Sequence, residues 1–186
     1  MEVTKSVGSI HLIMACMFSG KSTELIRLAN RYRVLDKKVL VIKHSLDIRY
    51  SLNKVSTHEK QTIECVTASN LHEEINKSKK YIESDVIIIE EAQFFEDLYR
   101  FVIDACDNDF KDVIVVGLDG DSNKEEFGEI LRLIPKSDTY KKLYGLCVKC
   151  KDGTPACFTQ RLVSNKDQVL IGSHEFIAVC RKHHTI

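Results

Sequence analysis

Short apolar runs alternate with amphipathic stretches along the first two thirds of the chain. Residues 10–14 form an apolar run, Leu25, Leu28, Ala29 and Tyr32 then fall at helical spacing, and residues 39–42 are rich in β-branched side chains. This pattern predicts strand, helix, strand. It resumes with residues 86–89 as a buried strand, Leu98, Phe101, Val102 and Ala105 on one helical face, and residues 113–116 as another strand. Strands joined through helices lie parallel, so the expected architecture is an α/β fold, a parallel sheet flanked by helices on both faces.

After Pro135 the texture changes. Cys147, Cys150, Cys157 and Cys180 crowd into polar, turn-rich sequence such as Lys151-Asp152-Gly153, and no flexible linker or repeat separates this part from the rest. The expected organisation is an α/β domain over residues 1–140 and a small second lobe over 141–186.

Composition narrows the classes. Apolar residues make up 44% and charged residues 29%, which is globular usage and excludes a largely disordered chain. Lys and Arg total 27, as do Asp and Glu, so the formal net charge is zero. Such a balance argues against a protein devoted to gripping nucleic acid, and no nucleic-acid partner is expected. The cysteines number seven, an odd count that cannot pair completely within one chain. No window has the apolar length of a membrane span or signal peptide, and the expected location is a reducing, cytoplasmic compartment.

Two stretches carry the chemistry. Ala15-Cys16-Met17-Phe18-Ser19-Gly20-Lys21-Ser22 lies between the first strand and the first helix, the context of a phosphate-binding loop (P-loop). There Gly20 permits close backbone approach, helix N-terminal N–H groups face the anion, Lys21 reaches the terminal phosphates and Ser22 offers a Mg²⁺ ligand. Ala15 replaces the usual first glycine, which is harmless unless that position needs positive φ. Glu90 and Glu91 end the apolar strand 86–89, where one carboxylate can hold Mg²⁺ and the other can accept a hydroxyl proton. The plainer alternative is that both acids face the N-terminal dipole of a helix starting near Phe94.

Cys147 and Cys150, then Cys180 and His183, form two knuckles separated by 29 residues, a pattern suited to one closed, structural Zn²⁺ site. His184 is the other candidate for the fourth ligand, although spacing favours His183. Buried thiols beside an exposed histidine pair are the alternative to a metal site. The sequence between the knuckles, 151–179, reads as one long loop pinned at its base, long enough to enclose a substrate. Cys16, in the electropositive loop, reads either as a reactive thiol or as a small apolar filler.

Taken in order, these features resemble the zinc-containing thymidine kinases of animals, bacteria and large DNA viruses. The resemblance runs from about Gly8 to His184 and is carried by Met17-Phe18-Ser19-Gly20-Lys21-Ser22-Thr23-Glu24-Leu25, Asp47-Ile48-Arg49-Tyr50, Thr57-His58, Glu91-Ala92-Gln93-Phe94-Phe95, Leu118-Asp119-Gly120, Thr159-Gln160-Arg161-Leu162 and the two knuckles. It implies ATP- and Mg²⁺-dependent phosphorylation of the thymidine 5′-hydroxyl, a thymidine-enclosing lasso in the zinc lobe, a homotetramer and feedback inhibition by dTTP. By resemblance Glu91 is the catalytic base, Arg49 lies beside the reacting phosphates, and Met17, Leu118, Phe127, Thr159 and Phe176 line the nucleoside pocket.

The chain departs from the family pattern at several places. Ala15-Cys16 stand for Gly-Pro, Glu90 for aspartate, Ser122 for an aromatic, Phe176 for tyrosine and His183 for cysteine. Ser122 and Phe176 motivate a second reading, a deoxynucleoside kinase of relaxed base preference. A third is a non-catalytic P-loop zinc protein that binds nucleotide or nucleic acid.

Overall fold

The computed structural model describes residues 7–47, 54–56, 61–164 and 167–185. Arg49, along with Ile48, Tyr50, Thr57 and His58 of the motifs above, lies outside the described residues. In chain order the strands are β1 (Ser9–Met14), β2 (Val39–His44), β3 (Lys54–Ser56), β4 (Thr62–Glu64), β5 (Val66–Ala68), β6 (Val86–Glu90), β7 (Asp112–Gly117), β8 (Thr139–Lys142), β9 (Gly145–Leu146), β10 (Pro155–Ala156), β11 (Phe158–Arg161) and β12 (Phe176–Val179). The helices are α1 (Lys21–Val34), α2 (Leu71–Glu74), α3 (Lys79–Glu83) and α4 (Leu98–Ile103).

Six strands form the main sheet in the order β5-β2-β6-β7-β1-β8, with parallel pairing throughout. Its central strands read as unbroken apolar runs because both faces are covered. On one face Ile10, Leu12, Ile42, Ile87, Ile89, Val113 and Val115 pack with Leu98, Phe101, Val102 and Ala105 from α4 and its continuation. On the other, Ile13, Val41, Ile88, Ile114 and Val116 meet Leu25, Ile26 and Ala29 of α1. The helical spacings expected from the sequence therefore fall on the buried faces of α1 and α4. Glu24 fastens α1 to the sheet edge, receiving Arg27 at 2.6 Å and Lys141 at 3.2 Å. The Arg27 guanidinium, aided by Lys141 and against the opposing effect of burial, holds the Glu24 carboxyl down to about 2.

Three details differ from the sequence reading. The α-helix expected near Phe94 begins at Leu98, and only a single 3₁₀ turn at Ala92–Phe94, capped by Glu91, lies directly beyond the two acids. Lys141 and Lys142, assigned to the second lobe, complete β8 and pair with Ile13 and Met14 of β1 in the main sheet. The stretch 151–179 is not one loop. It contains β10, β11 and β12, the last two paired antiparallel, because Ala156, Phe158, Ile177, Ala178 and Val179 share an apolar cluster with the knuckle cysteines.

The two-sided sheet makes core substitutions costly. Ile88→Ala, at a fully buried site in β6, is expected to lower the unfolding free energy by roughly 2–5 kcal/mol. Val34→Ala, on exposed α1 surface, should change it by less than about 0.5 kcal/mol. Urea denaturation of the two variants side by side tests the difference.

Candidate functional site

The carboxyl ends of β1, β6 and β7 lie side by side, the position at which open parallel sheets bind ligands. Between β1 and α1 the chain makes a tight loop. Its first residue, Ala15, is fully buried, donates its N–H to the Gly117 carbonyl at 3.2 Å and is not among the residues of positive φ. The methyl group in place of glycine thus brings no backbone strain. Positive φ falls instead at Phe18 (61°) and at Gly20 (77°), where the absence of a β-carbon removes the penalty.

Side chains close the loop on itself. Lys21 Nζ donates to the Cys16 carbonyl at 2.9 Å and Ser19 Oγ to the same oxygen at 2.8 Å. The Ser22 hydroxyl donates to Glu90 Oε1 at 2.6 Å, linking the start of α1 to the end of β6. Cys16 is buried between this loop and the small lobe, its sulfur 3.0 Å from Ser19 Oγ. Its thiol, 2% exposed, donates to the Ala156 carbonyl at 3.4 Å and packs among the residues around the knuckles. The filler role, not the reactive one, is what this packing supports.

Glu90 and Glu91 are both buried but serve different neighbours. Glu91 adopts a left-handed conformation (φ 50°, ψ 43°), which costs a non-glycine residue on the order of 1 kcal/mol and persists only where the surroundings enforce it. Gln93 holds the carboxylate of this residue. Its Nε2 donates to Glu91 Oε2 at 2.6 Å while its Oε1 accepts the Leu118 N–H at 3.0 Å, so the amide is fixed from both ends. Gly128 allows the approach, since a β-carbon there would lie 2.2 Å from the Gln93 carbonyl.

At the end of β2, Lys43 pairs in register with Glu90 and forms a buried ion pair with Asp47 at 3.2 Å. The next residue, His44, packs against Phe94 and Phe95 with ring centroids 5.7 and 4.5 Å away and accepts the Leu46 N–H on Nδ1. Burial holds the His44 imidazole below its ordinary pKa, although the Ser69 backbone, Glu74 and Asp97 pull the other way.

Beside Glu91 lies a recess at the strand ends. Met17, Leu118, Phe127, Thr159 and Phe176 all line it, so the positions named by resemblance come together from five separate stretches of chain. Phe94 stands edge-on to Phe127, with centroids 5.5 Å apart. Thr159 also ties the lobe to the loop, its hydroxyl oxygen accepting the Met17 N–H at 3.0 Å. Gln93, Asp121, Arg161 and Gln168 share the lining and were given no role by the sequence reading. Only for Gln93 was there a local signal, a polar residue buried between apolar ones just past the paired acids.

The knuckles also close. Sγ of Cys147, Cys150 and Cys180 lie 3.6, 3.3 and 3.5 Å from His183 Nδ1, and Cys150 and Cys180 are 3.7 Å apart. Tetrahedral ligation with bonds of about 2.3 Å to sulfur and 2.0 Å to nitrogen needs ligand separations of roughly 3.5–3.8 Å, so the set fits zinc. His184 points elsewhere, donating from Nε2 to the Ser122 carbonyl at 2.9 Å. Among the described residues this is the one cluster of ligating side chains suited to a metal ion.

The profile of the family described as thymidine kinase matches residues 8–184. The chain is 40% identical to the thymidine kinase of Sheeppox virus (strain KS-1), with 94% of this chain and 96% of that protein aligned. It is 39% identical to the cytosolic thymidine kinase of Bos taurus, over 96% of this chain and 72% of the relative. Identity to thymidine kinase a of Arabidopsis thaliana is 41%, over 95% and 75% respectively.

The two adjacent histidines give a direct test of the metal centre. His183→Ala is expected to lose bound zinc from the purified protein, whereas His184→Ala should retain it, as read by elemental analysis of dialysed samples.

Proposed function

We propose a mechanism for this chain from one premise: it belongs to the thymidine kinase family and is an enzyme that phosphorylates thymidine. The observation that carries the mechanism is Glu91, which is left-handed in backbone, is bonded by Gln93 and lines the recess next to Glu90, the residue in contact with Ser22 of the loop.

In this reading residues 15–22 hold the phosphates of ATP, and the recess holds the nucleoside against Met17, Leu118, Phe127, Thr159 and Phe176. The Glu91 carboxylate takes the proton of the 5′-hydroxyl as that oxygen bonds to the terminal phosphorus and ADP leaves. Gln93 donates to one oxygen of Glu91 and so orients the carboxylate at the lining of the recess. Lys21 neutralises charge on the transferred group, a role the resemblance extends to Arg49. Ser22 and Glu90, already in contact, would hold Mg²⁺ bound with ATP, which supplies further charge neutralisation. The longer side chain of Glu90, compared with aspartate, is accommodated by its bond to Ser22.

Cys147, Cys150, Cys180 and His183 would hold zinc in a purely structural role, because four protein ligands leave no position open for substrate. The resemblance extends the proposal to a homotetramer, feedback inhibition by dTTP and a cytoplasmic location. The name of the Bos taurus relative supports that location, and no helix among the described residues is long and apolar enough to cross a membrane. Relaxed base preference is a second reading, favoured by Ser122 lining the recess where the family has an aromatic. Assay of the natural nucleosides under matched conditions distinguishes it from strict thymidine use.

Glu91→Gln is expected to lower turnover of thymidine with ATP and Mg²⁺ by about 10²–10⁴-fold while leaving the circular dichroism spectrum and ATP affinity near their original values. Near-normal turnover in this variant would exclude Glu91 as the base.

A further inference from the structure

The turn after β7 is built around one carboxylate. Asp121 is 8% exposed, and its Oδ1 accepts the N–H groups of Asn123 at 2.7 Å and Glu125 at 3.0 Å. Its backbone N–H donates to the Glu125 carbonyl at 2.9 Å, and the Lys124 N–H returns to its own carbonyl at 3.2 Å. These bonds fix the turn and leave Oδ2 to face the segment that runs from the lobe back toward β12. There Gln168 Nε2 donates to Asp121 Oδ2 and to the Glu126 carbonyl, both at 3.1 Å. The two hydrogens of the Gln168 amide are thereby used on one turn.

The same segment is held at its other contacts. Arg161 Nη2 donates to the Gln168 carbonyl at 3.4 Å while its guanidinium lies 5.4 Å from the centre of the Phe176 ring. Leu162 N–H bonds to the Glu175 carbonyl at 2.8 Å at the base. Asp121, Arg161, Gln168 and Phe176 all line the recess, so the bonded contacts that hold the segment also form the wall.

We propose that Asp121 is a positioning residue that fastens residues 167–175 over the nucleoside recess, with the Gln168 side chain as the hook it holds. An ionised acceptor makes the contact stronger than a neutral amide–amide pair, while the exposure of Gln168 keeps it weak enough to open for entry and release. The contact is also selective in chemistry. Asparagine at 121 could still accept the two backbone N–H groups, but its own amide would then present a donor to the Gln168 donor.

This inference rests on the thymidine kinase reading for the identity of what the recess encloses, but not for the closure itself. The experiment therefore has two arms, applied to Asp121→Asn, Gln168→Leu and the double variant. Amide hydrogen exchange over residues 167–175 without nucleoside is expected to quicken roughly fivefold in each single variant, with the double variant no faster than either. In steady-state kinetics the KM for thymidine should rise by a similar factor, with a smaller change in kcat. Gln168→Leu alters an exposed side chain and keeps the test valid if Asp121→Asn folds poorly. Unchanged exchange in Gln168→Leu, or additive effects in the double variant, would overturn the clasp. Quickened exchange in a protein that does not phosphorylate thymidine would instead overturn the substrate reading alone.

Discussion

Gln93 joins the two strand ends between which the proposed phosphoryl transfer takes place. One end of its amide grips Glu91, past the end of β6, and the other grips the backbone of Leu118, past the end of β7. Because donor and acceptor are each committed, the amide cannot rotate without leaving a buried N–H or carboxylate oxygen unpaired, at a cost of about 1–3 kcal/mol. That penalty is of the same order as the strain of the left-handed Glu91. The orientation of the acid is thus tied to the adjacent ends of β6 and β7.

The parts of the fold legible in the sequence are those buried on two sides. Strands β1, β2, β6 and β7 appear as apolar runs because helices cover both of their faces, and α1 and α4 show the matching helical period. β8 gave no such signal, since every residue from Thr139 to Lys142 is exposed and its place in the sheet comes from backbone pairing with β1. The three-residue strands β3, β4 and β5 are too short to display a period. β11 and β12 were hidden for a related reason. β11 has one apolar residue and β12, though wholly apolar, is only four residues long, and they become a pair only when the knuckles bring them together.

A similar division holds at the candidate site. The loop of residues 15–22, the paired acids and the knuckles are compact in sequence, and spacing favours His183 over His184 while the side-chain geometry separates them. The bonds from Gln93 to Leu118, Lys43 to Asp47 beside Glu90, and Gln168 to Asp121 depend on side chains meeting at strand ends and turns, and no spacing rule encodes them. The pocket residues lay between these cases. Each is unremarkable by itself, and resemblance to a family supplied the set that the fold then brought to one cavity.

The small lobe is more than an attachment to the sheet. Met17 bonds to Thr159, Cys16 packs under Ala156, and His184 reaches the turn that carries Ser122. Of two consecutive histidines, one completes the metal cluster and the other supports the wall of the recess. With a single peptide bond between them, the lobe works as a gauge block. A metal ion held by that cluster would fix the backbone that carries His184, and with it the turn that lines the recess.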